Sequence, residues 1–301
     1  MTTVDSPAIA RDTHTRVNPV WQVQAELMKI RTTRLWWFFF VGILLVSAVA
    51  LLRNGAAHHY ELFPPLDQYP ENERAQAAAQ AVQSATDAGH AAIAADMLTS
   101  GQFLGVLLAM LLGVLSTTGE YAHKTAASTF LTNPRRGAVI VAKLAAAVMV
   151  ASLLWVISTV LDFFVTPFYL SSQHIHMSLA TWVPVRSVLL NLLAYAMWAI
   201  FGVGLGALFQ SQVGAVVAGV GVYLGGAGAV LLIFNLIYQA YHHTWVLGAP
   251  VIAPAVASLV MITPGRAFDH APPQWAGLLV MVGYVLTFGI AGLLRTRRRE
   301  I

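Results

Sequence analysis

The chain has 301 residues, of which 57% are hydrophobic and 10% are charged, and its mean hydropathy is +0.68. Soluble domains carry about a quarter charged residues, so the composition excludes an ordinary soluble protein and indicates a multi-pass protein of the lipid bilayer. The net charge of +4 does not indicate a nucleic-acid partner, because the basic residues cluster at both ends and in one central loop, as topology signals do. Cysteine is absent, which excludes disulfides, thiolate metal sites and a cysteine nucleophile.

The N-terminal part of the chain divides into a tail and a helix. Residues 1–18 are polar without apolar periodicity and are predicted to form a mobile tail. Asn18 followed by Pro19 is typical of a helix N-terminus, and residues 19–34 carry apolar and polar side chains on opposite faces. This pattern predicts an interfacial helix in the membrane plane, at the start of a single transmembrane domain over 19–301.

Six apolar runs follow, each long enough or nearly long enough to cross a bilayer. They are residues 35–52, 99–115, 138–165, 184–209, 214–237 and 275–294. With these spans, twelve of the 17 Lys and Arg residues fall on one side of the membrane and four on the other. Because short cytoplasmic segments collect Lys and Arg, we expect an all-α, six-span protein of the cell (cytoplasmic) membrane with both termini in the cytoplasm.

Two segments are expected on the outer side. Residues 53–98 form a long, acidic outer loop, whose Ala/Gln-rich part is helix-prone and is either a small external cap or an extension of the second span. Residues 238–274 contain an apolar run that Pro250 and Pro254 interrupt. A run so broken does not make an ordinary span, and it predicts re-entrant helices that are buried in protein.

The loop between the second and third spans, residues 116–137, is the polar stretch around which the chain is organised. Its basic residues place it on the cytoplasmic side. Thr117 and Glu120 have the spacing of a capping box, which predicts that a new helix begins after a break at Gly119. Pro134 ends that helix, because the residue before a proline is displaced from the α region.

Several short motifs follow one another along the chain. They are Glu26-Leu27-x-Lys29-Ile30-Arg31-Thr32-Thr33-Arg34, Gly119-Glu120-Tyr121, Thr125, Leu131-x-x-Pro134-Arg135-Arg136, Ala142-Lys143-Leu144, Gly204-x-Gly206-Ala207-Leu208, and Leu293-Leu294 before the Arg-rich tail. In order, spacing and topology they resemble the permease subunits of ABC exporters of the type-two export family, which move drugs, lipids and polysaccharides. The resemblance implies that 19–34 is an elbow helix, that 116–137 holds a cytoplasmic coupling helix docked on an ATPase, and that 238–274 holds a pair of outer re-entrant helices.

The resemblance also implies a function and partners. The chain would be the membrane-spanning permease subunit of an ATP-driven exporter, acting as a dimer with an identical or homologous permease and with two ATP-binding ABC subunits. None of Lys29, Lys124 and Lys143 follows a glycine, so the sequence lacks the P-loop that binds ATP phosphates and magnesium. We therefore expect no enzymatic activity and no cofactor in this chain, with ATP and magnesium bound by the partner ATPase.

Ten residues are candidates for contact with the ATPase: Glu120, Tyr121, His123, Lys124, Thr125, Phe130, Leu131, Pro134, Arg135 and Arg136. The charged members would make polar contacts, and the aromatic and aliphatic members would fill a cleft. From the residues alone, an ordinary polar connecting loop with topology-setting basic residues fits slightly better. The resemblance favours the coupling helix.

Four residues inside the predicted spans are candidates for a substrate path: Asp162, Asn191, Tyr195 and Trp198. Asp162 is the only acid within a predicted span, and intramembrane acids are functional candidates. Its position near Pro167 favours instead a side chain that reaches outer water. Asn191 can equally well hydrogen-bond between helices.

Two glycine pairs, Gly202 with Gly206 and Gly221 with Gly225, have the small-xxx-small spacing of closely packed helices. They mark either a dimer face, for which Gly221 and Gly225 in the fifth span are the candidates, or packing within one subunit, which we expect. Three pairs of histidines lie in outer loops without a carboxylate at ligand spacing, so solvated side chains are expected there and no metal site.

An alternative function is ion-coupled secondary transport of small molecules. Such transporters carry related halves and intramembrane charges near the midplane of the membrane. Here the halves do not match, and Asp162 is the one acid available in a span. A membrane enzyme would need a polar catalytic cluster at one depth, which the sequence does not display.

Overall fold

The computed structural model describes residues 18–33, 35–122, 136–175, 181–209, 211–265, 267–268 and 270–298, and the regular structure of this part of the chain is entirely helical. The helices are α1 (Pro19–Thr32), α2 (Leu35–Leu62), α3 (Glu71–Ser84), α4 (Asp87–Met97), α5 (Gln102–Ala122), α6 (Arg136–Ser172), α7 (Trp182–Leu208), α8 (Gln212–Tyr241), α9 (Pro254–Ile262) and α10 (Gln274–Arg298). A 3₁₀ segment, Thr244–Ile252, joins α8 to α9. The predicted all-α class is confirmed.

Within the described residues, six helical stretches are long and apolar enough to cross a membrane: α2, α4 together with α5, α6, α7, α8 and α10. This finding confirms the expected multi-pass organisation. Successive spans run in opposite directions, so α1, the end of α5 and the start of α6 lie at one end of the bundle, here named the α1 end. The helix α3, the 3₁₀ segment and α9 lie at the opposite end, here named the α3 end.

The central helix of the bundle is α7, which packs against α5, α6 and α10. Its side chains Tyr195, Trp198 and Phe201 are among the largest fully buried groups. The ring of Trp198 meets those of Phe201 and of Tyr223 on α8 edge to face, with centroids 5.4 and 4.9 Å apart. Aromatic pairs in this geometry add to the stabilisation that their buried area provides.

Glycine lets α5 and α7 approach closely. A Cβ on Gly202 would overlap the carbonyl group of Met110, and a Cβ on Gly206 would lie 2.9 Å from the carbonyl oxygen of Val114. This glycine pair therefore packs within the subunit, as expected, and substitution by a larger residue would force the two helices apart.

The second glycine pair behaves differently. Gly221 and Gly225 bound a π-helical turn inside α8, and no atom of the described residues lies within 4 Å of a Cβ built on either one. The expectation of packing within one subunit is therefore wrong for this pair. The described residues bury only a small part of α8.

The helix α1 begins as predicted and turns an unexpected face inward. The side-chain oxygen of Asn18 accepts a hydrogen bond from the backbone N–H of Val20 at 3.0 Å, and Pro19 is the first helical residue. Glu26 is the most buried residue of α1, whereas Val20 and Met28 are exposed. Part of the polar face, which the pattern assigns to solvent, therefore packs against the protein.

Residues 53–98, predicted as an outer loop, are mostly helical. The helix α2 continues to Leu62, and the ring of His58 makes hydrogen bonds to Glu61 at 3.1 Å and to Asp96 on α4 at 2.9 Å. The helix α4 extends the second span, and α3 is a separate helix that packs on α2 and α4. The histidine that sequence analysis assigns to solvent is thus held between two carboxylates.

The helix α5 passes through Gly119 to Ala122, so the predicted break at Gly119 is wrong. The rest of the predicted helix, up to Pro134, lies outside the described residues. The hydroxyl of Thr117 donates to the carbonyl oxygen of Gly113 at 3.2 Å. This bond to the residue four positions earlier is made within a helix and satisfies the hydroxyl without a capping box.

The helix α6 passes through Pro167 and ends at Ser172, although the proline predicts an end near residue 166. Proline removes one backbone hydrogen bond from a helix interior. The turn beyond it is anchored elsewhere, because the hydroxyl of Tyr169 donates to the carbonyl oxygen of Gly55 at 2.8 Å and Leu170 is fully buried. Tertiary contacts therefore outweigh the local break.

The proline-interrupted apolar run forms the 3₁₀ segment and α9, which are bent by 103° relative to each other. The prediction that this run is not an ordinary span is confirmed. The hairpin is docked on α10, where the side-chain nitrogen of Gln274 donates to the carbonyl oxygen of Thr263 at 2.8 Å and the hydroxyl of Tyr284 donates to that of Ile252 at 3.0 Å.

Candidate functional site

Four charged side chains from three helices meet at the α1 end of the bundle. They are Glu26 and Lys29 of α1, Glu120 of α5 and Lys143 of α6, here named the charge network. The Nζ atom of Lys143 lies 2.7 Å from Glu26 Oε2 and 3.1 Å from Glu120 Oε1. The Nζ atom of Lys29 lies 2.6 Å from Glu26 Oε1 and 2.7 Å from Glu120 Oε1. Each ammonium group thus bridges both carboxylates.

Most of the charge network is withdrawn from solvent. The side chains of Lys143 and Glu26 are 7% and 8% exposed, whereas that of Lys29 is 43% exposed. Lys143 also donates to the backbone carbonyl oxygen of Ser116 at 3.1 Å. Buried ions are tolerated when they are paired and their hydrogen-bonding capacity is used, and Lys143 meets both conditions.

The network changes the proton affinities of its α1 members. Burial alone would raise the pKa of Glu26, but the ammonium groups of Lys143 and Lys29 outweigh it, and the pKa is lowered. Burial alone would lower the pKa of Lys29, but hydrogen bonds to Glu120 and Glu26 outweigh it, and the pKa is raised. Both shifts stabilise the charged forms around neutral pH.

A cavity of about 330 Å³ opens beside the charge network. Its polar end is formed by Glu26, Lys29 and Glu120, and its apolar wall includes Phe39 and Leu112. The cavity thus lies between α1, the start of α2 and the end of α5. Movement of α1 relative to those helices would change its volume directly.

The structure places only some of the ten candidate contact residues. Glu120 belongs to the charge network, Tyr121 lies in the last turn of α5, and Arg136 is the first residue of α6, although the side chains of the latter two are outside the described part. The remaining candidates lie outside the described residues: His123, Lys124, Thr125, Phe130, Leu131, Pro134 and Arg135. The charge network therefore sits directly between the helices that flank residues 123–135.

Sequence analysis does not anticipate the roles of Glu26 and Lys143. Lys143 is the one basic residue of the predicted third span, and a charge inside a span is a signal of function or pairing. That signal was available from the sequence. The partner was not, because Glu26 is 117 positions away and sits in an amphipathic pattern that assigns it to solvent.

The four candidate path residues are packed inside the bundle. Asp162, Asn191, Tyr195 and Trp198 are between 0% and 1% exposed. The expectation that Asp162 reaches outer water is therefore wrong, because its carboxyl group is enclosed. Each of the four has a buried polar atom without a hydrogen-bond partner among the described residues.

Metal binding finds no support in the described part of the chain, where no group of three His, Cys, Asp or Glu side chains is placed to hold an ion. Compared with known proteins, the chain matches no family model and no curated protein. The function is therefore argued from the geometry of the site and from the motifs of the sequence.

Proposed function

We propose that the chain is the membrane-spanning permease subunit of an ATP-driven exporter, which forms the substrate path and couples it to two separate ATP-binding ABC subunits. A second permease, identical or homologous, would complete the path. ATP and magnesium would bind in the ATPase subunits. The cell membrane is the proposed location, with both termini and residues 123–135 in the cytoplasm.

The observation that carries this proposal is the charge network. It joins α1, the end of α5 and the start of α6, which are the elements on either side of residues 123–135. Separating a buried ion pair leaves an uncompensated charge and is strongly unfavourable. A force applied to residues 123–135 would therefore move these three elements together, as rigid-body transmission requires.

The buried interior of the single chain supports a path between two copies. The side chains of Tyr195 and Trp198 are fully buried in the centre of the bundle, and the ring of Trp198 contacts those of Phe201 and Tyr223. A substrate would have to displace this packed core to pass through one subunit. A path between subunits, opened and closed by the movement of α1, α5 and α6, leaves the core intact.

A direct test is to place a photo-crosslinking amino acid at Lys124 in the chain, co-expressed with candidate ABC ATPase subunits from the same organism. Lys124 is the expected contact, and Glu73 of α3, at the opposite end of the bundle, is the matched control. We expect crosslinking to the ATPase from position 124 alone. Crosslinking from neither position, or from position 73, would contradict the proposal.

The alternative, ion-coupled secondary transport, has one observation in its favour, which is the enclosed carboxyl group of Asp162. The two functions differ in their energy source. An exporter complex in vesicles should transport substrate when ATP is supplied and the proton gradient is collapsed. Transport by the chain alone, driven by an imposed proton gradient without any ATPase, would select the alternative.

A further inference from the structure

The face of α6 that is turned into the bundle carries a row of buried polar groups. Its members, three or four positions apart and therefore on one helix face, are Trp155, Thr159, Asp162 and Thr166. Each has a buried side-chain nitrogen or oxygen atom without a hydrogen-bond partner in the part of the chain that the structure describes. A helix within a bilayer has no bulk solvent toward which such groups can turn.

The neighbouring helix α7 carries a matching row. Ser187, Asn191, Tyr195 and Trp198 share one face by the same spacing, and each has a buried polar atom that no described residue satisfies. The two helices pack against each other, and the Tyr195 hydroxyl lies beside Ser158 and Asp162. The region between α6 and α7 around this approach is here named the α6–α7 seam.

Asp162 lies at the centre of the seam. Its carboxyl group faces the backbone N–H of Gly101 and the hydroxyl of Ser158, but neither has hydrogen-bonding geometry to it. The Ser158 hydroxyl is instead bonded to that of Ser47 on α2 at 2.8 Å. Among the residues described, no Lys, Arg or His side chain pairs with Asp162.

Two physical costs follow from this arrangement. A buried polar atom without a partner lowers stability, and native proteins satisfy nearly all such atoms through protein or bound water. A buried carboxylate without a cation costs far more, and such a group takes up a proton instead. The unsatisfied groups that meet at Asp162 and Tyr195 therefore call for a ligand that can both donate and accept hydrogen bonds.

We propose that the α6–α7 seam is a hydrated proton-binding site, in which bound water bonds unsatisfied groups around Asp162 and Asp162 carries the proton. Water meets the requirement because it donates and accepts, and buried water needs two to four polar partners, roughly, at each position. The alternating hydroxyl, indole and amide groups of α6 and α7 supply them. The tight contact of Gly105 with the Tyr195 hydroxyl closes the seam on the α5 side.

A proton fits the site better than a metal cation. A hard cation such as calcium takes about six to eight oxygen ligands, whereas Asp162 is the one carboxylate of the seam and the nearby Ser158 hydroxyl is already bonded. A proton needs a single acceptor. Once protonated, the neutral carboxylic acid of Asp162 can donate a hydrogen bond to water or to a hydroxyl group.

The titratable surroundings of Asp162 are otherwise neutral. From α7 the group that faces it is Tyr195, α2 contributes the hydroxyl of Ser47, and the turn before α5 contributes the backbone of Gly101. The charged groups of α2 and α4, His58 with Asp96, pair with each other. The inference does not rest on the exporter proposal, since it concerns the chain alone.

Infrared spectroscopy of the purified chain in lipid nanodiscs, without an ATPase, tests the proposal. At neutral pH we expect a carbonyl band of a protonated carboxylic acid that is lost in Asp162→Asn and kept in Asp96→Asn, the matched control. Transfer to D₂O should shift the band, because bound water exchanges with the acid. Tyr195→Phe should move the band without removing it, which gives a second variant should Asp162→Asn fail to fold.

Three results would overturn the proposal. Absence of the acid band in the wild-type chain at neutral pH would mean that Asp162 is ionised. A band that does not shift after prolonged exposure to D₂O would mean that the seam is dry. Loss of the band on addition of sodium ions at constant pH would assign the site to a metal cation.

Discussion

Lys143 holds two carboxylates and a backbone carbonyl group with one buried ammonium group. Its replacement by methionine would remove the buried cation that pairs with Glu26 and Glu120, and removal of one partner from a buried ion pair costs about 3–5 kcal/mol. We expect Lys143→Met to lower the thermal midpoint of the detergent-solubilised chain strongly. The measurement is a melting curve followed by circular dichroism.

The matched control is Lys29→Met, because Lys29 binds the same two carboxylates with a side chain that is 43% exposed. Exposed pairs contribute roughly 0.2–1 kcal/mol, so the control should melt much closer to the wild-type chain. Equal losses in both variants would show that burial of Lys143 does not matter.

The pH dependence of stability follows from the two shifted groups of α1. The pKa of Glu26 is lowered from its ordinary value of 4.5, so its stabilisation is complete above pH 4.5 and is lost as the pH falls through the folded-state pKa. The pKa of Lys29 is raised from 10.5, so its stabilisation is complete below pH 10.5 and is lost as the pH rises through the folded-state pKa.

We therefore expect a loss of thermal stability in acid, beginning near pH 4.5, that is smaller in Glu26→Gln, because that variant has no carboxylate to protonate at position 26. Melting curves over an acid pH series measure the difference. Glu71→Gln, on the exposed start of α3, should lose thermal stability in acid as the wild-type chain does. The same acid-induced loss in Glu26→Gln as in the wild-type chain would contradict a stabilising role for the Glu26 carboxylate.

At the scale of single residues, the sequence predicts those features that depend on neighbouring residues in the chain. The Asn18–Pro19 start of α1 follows from side-chain capping and a fixed φ angle, and the structure has both. Glu26 and Asp162 were misplaced because their environments come from other helices. Neither a helical pattern nor a nearby proline contains that information.

Among the elements, the contact of α5 with α7 depends on glycine at the crossing. Gly202→Ala would place a methyl group into the carbonyl group of Met110, and overpacking of this kind costs about 1–3 kcal/mol. Gly283→Ala on α10 is the control, because no atom in the described part of the chain lies within 4 Å of its Cβ position. Thermal melting should show a loss for the first variant and no loss for the second, since alanine favours helix by up to about 1 kcal/mol.

Helix ends show why element boundaries were less predictable than elements. Gly119 and Pro167 are local break signals, yet α5 and α6 continue through both. The turn after Pro167 is fixed by Tyr169 and Leu170, which contact residues far away in sequence. Such contacts offset a single lost backbone hydrogen bond, and they are invisible to a pattern within one window.

For the whole molecule, the orientation in the membrane is the main prediction. The sequence has no cysteine, so single cysteines can be introduced without background. We expect cysteines at Glu73 and His243 to react with a membrane-impermeant maleimide in intact cells, and a cysteine at Lys124 to react only after permeabilisation. The opposite labelling pattern would reverse the topology and exclude cytoplasmic coupling through residues 123–135.

The number of spans was predictable because hydropathy and length belong to each segment alone. The arrangement of the spans was not, because the central position of α7 depends on glycine crossings and aromatic contacts with several partners. The charge network likewise joins residues of three separate segments. The sequence therefore indicates which segments enter the bilayer, and the structure adds which of them are joined by contacts and ion pairs.

The docking of the α9 hairpin on α10 has a mechanical consequence. Gly277 lies against the carbonyl group of Ala257, and two hydrogen bonds tie the same surfaces together, so hairpin and helix form a single stiff piece. A pull on the arginine-rich end of α10 would thus be delivered roughly 30 Å away, about 20 helical residues along α10, as a shift of the hairpin. In the proposed topology, we expect the outer hairpin to respond in this way to force on the cytoplasmic end of α10.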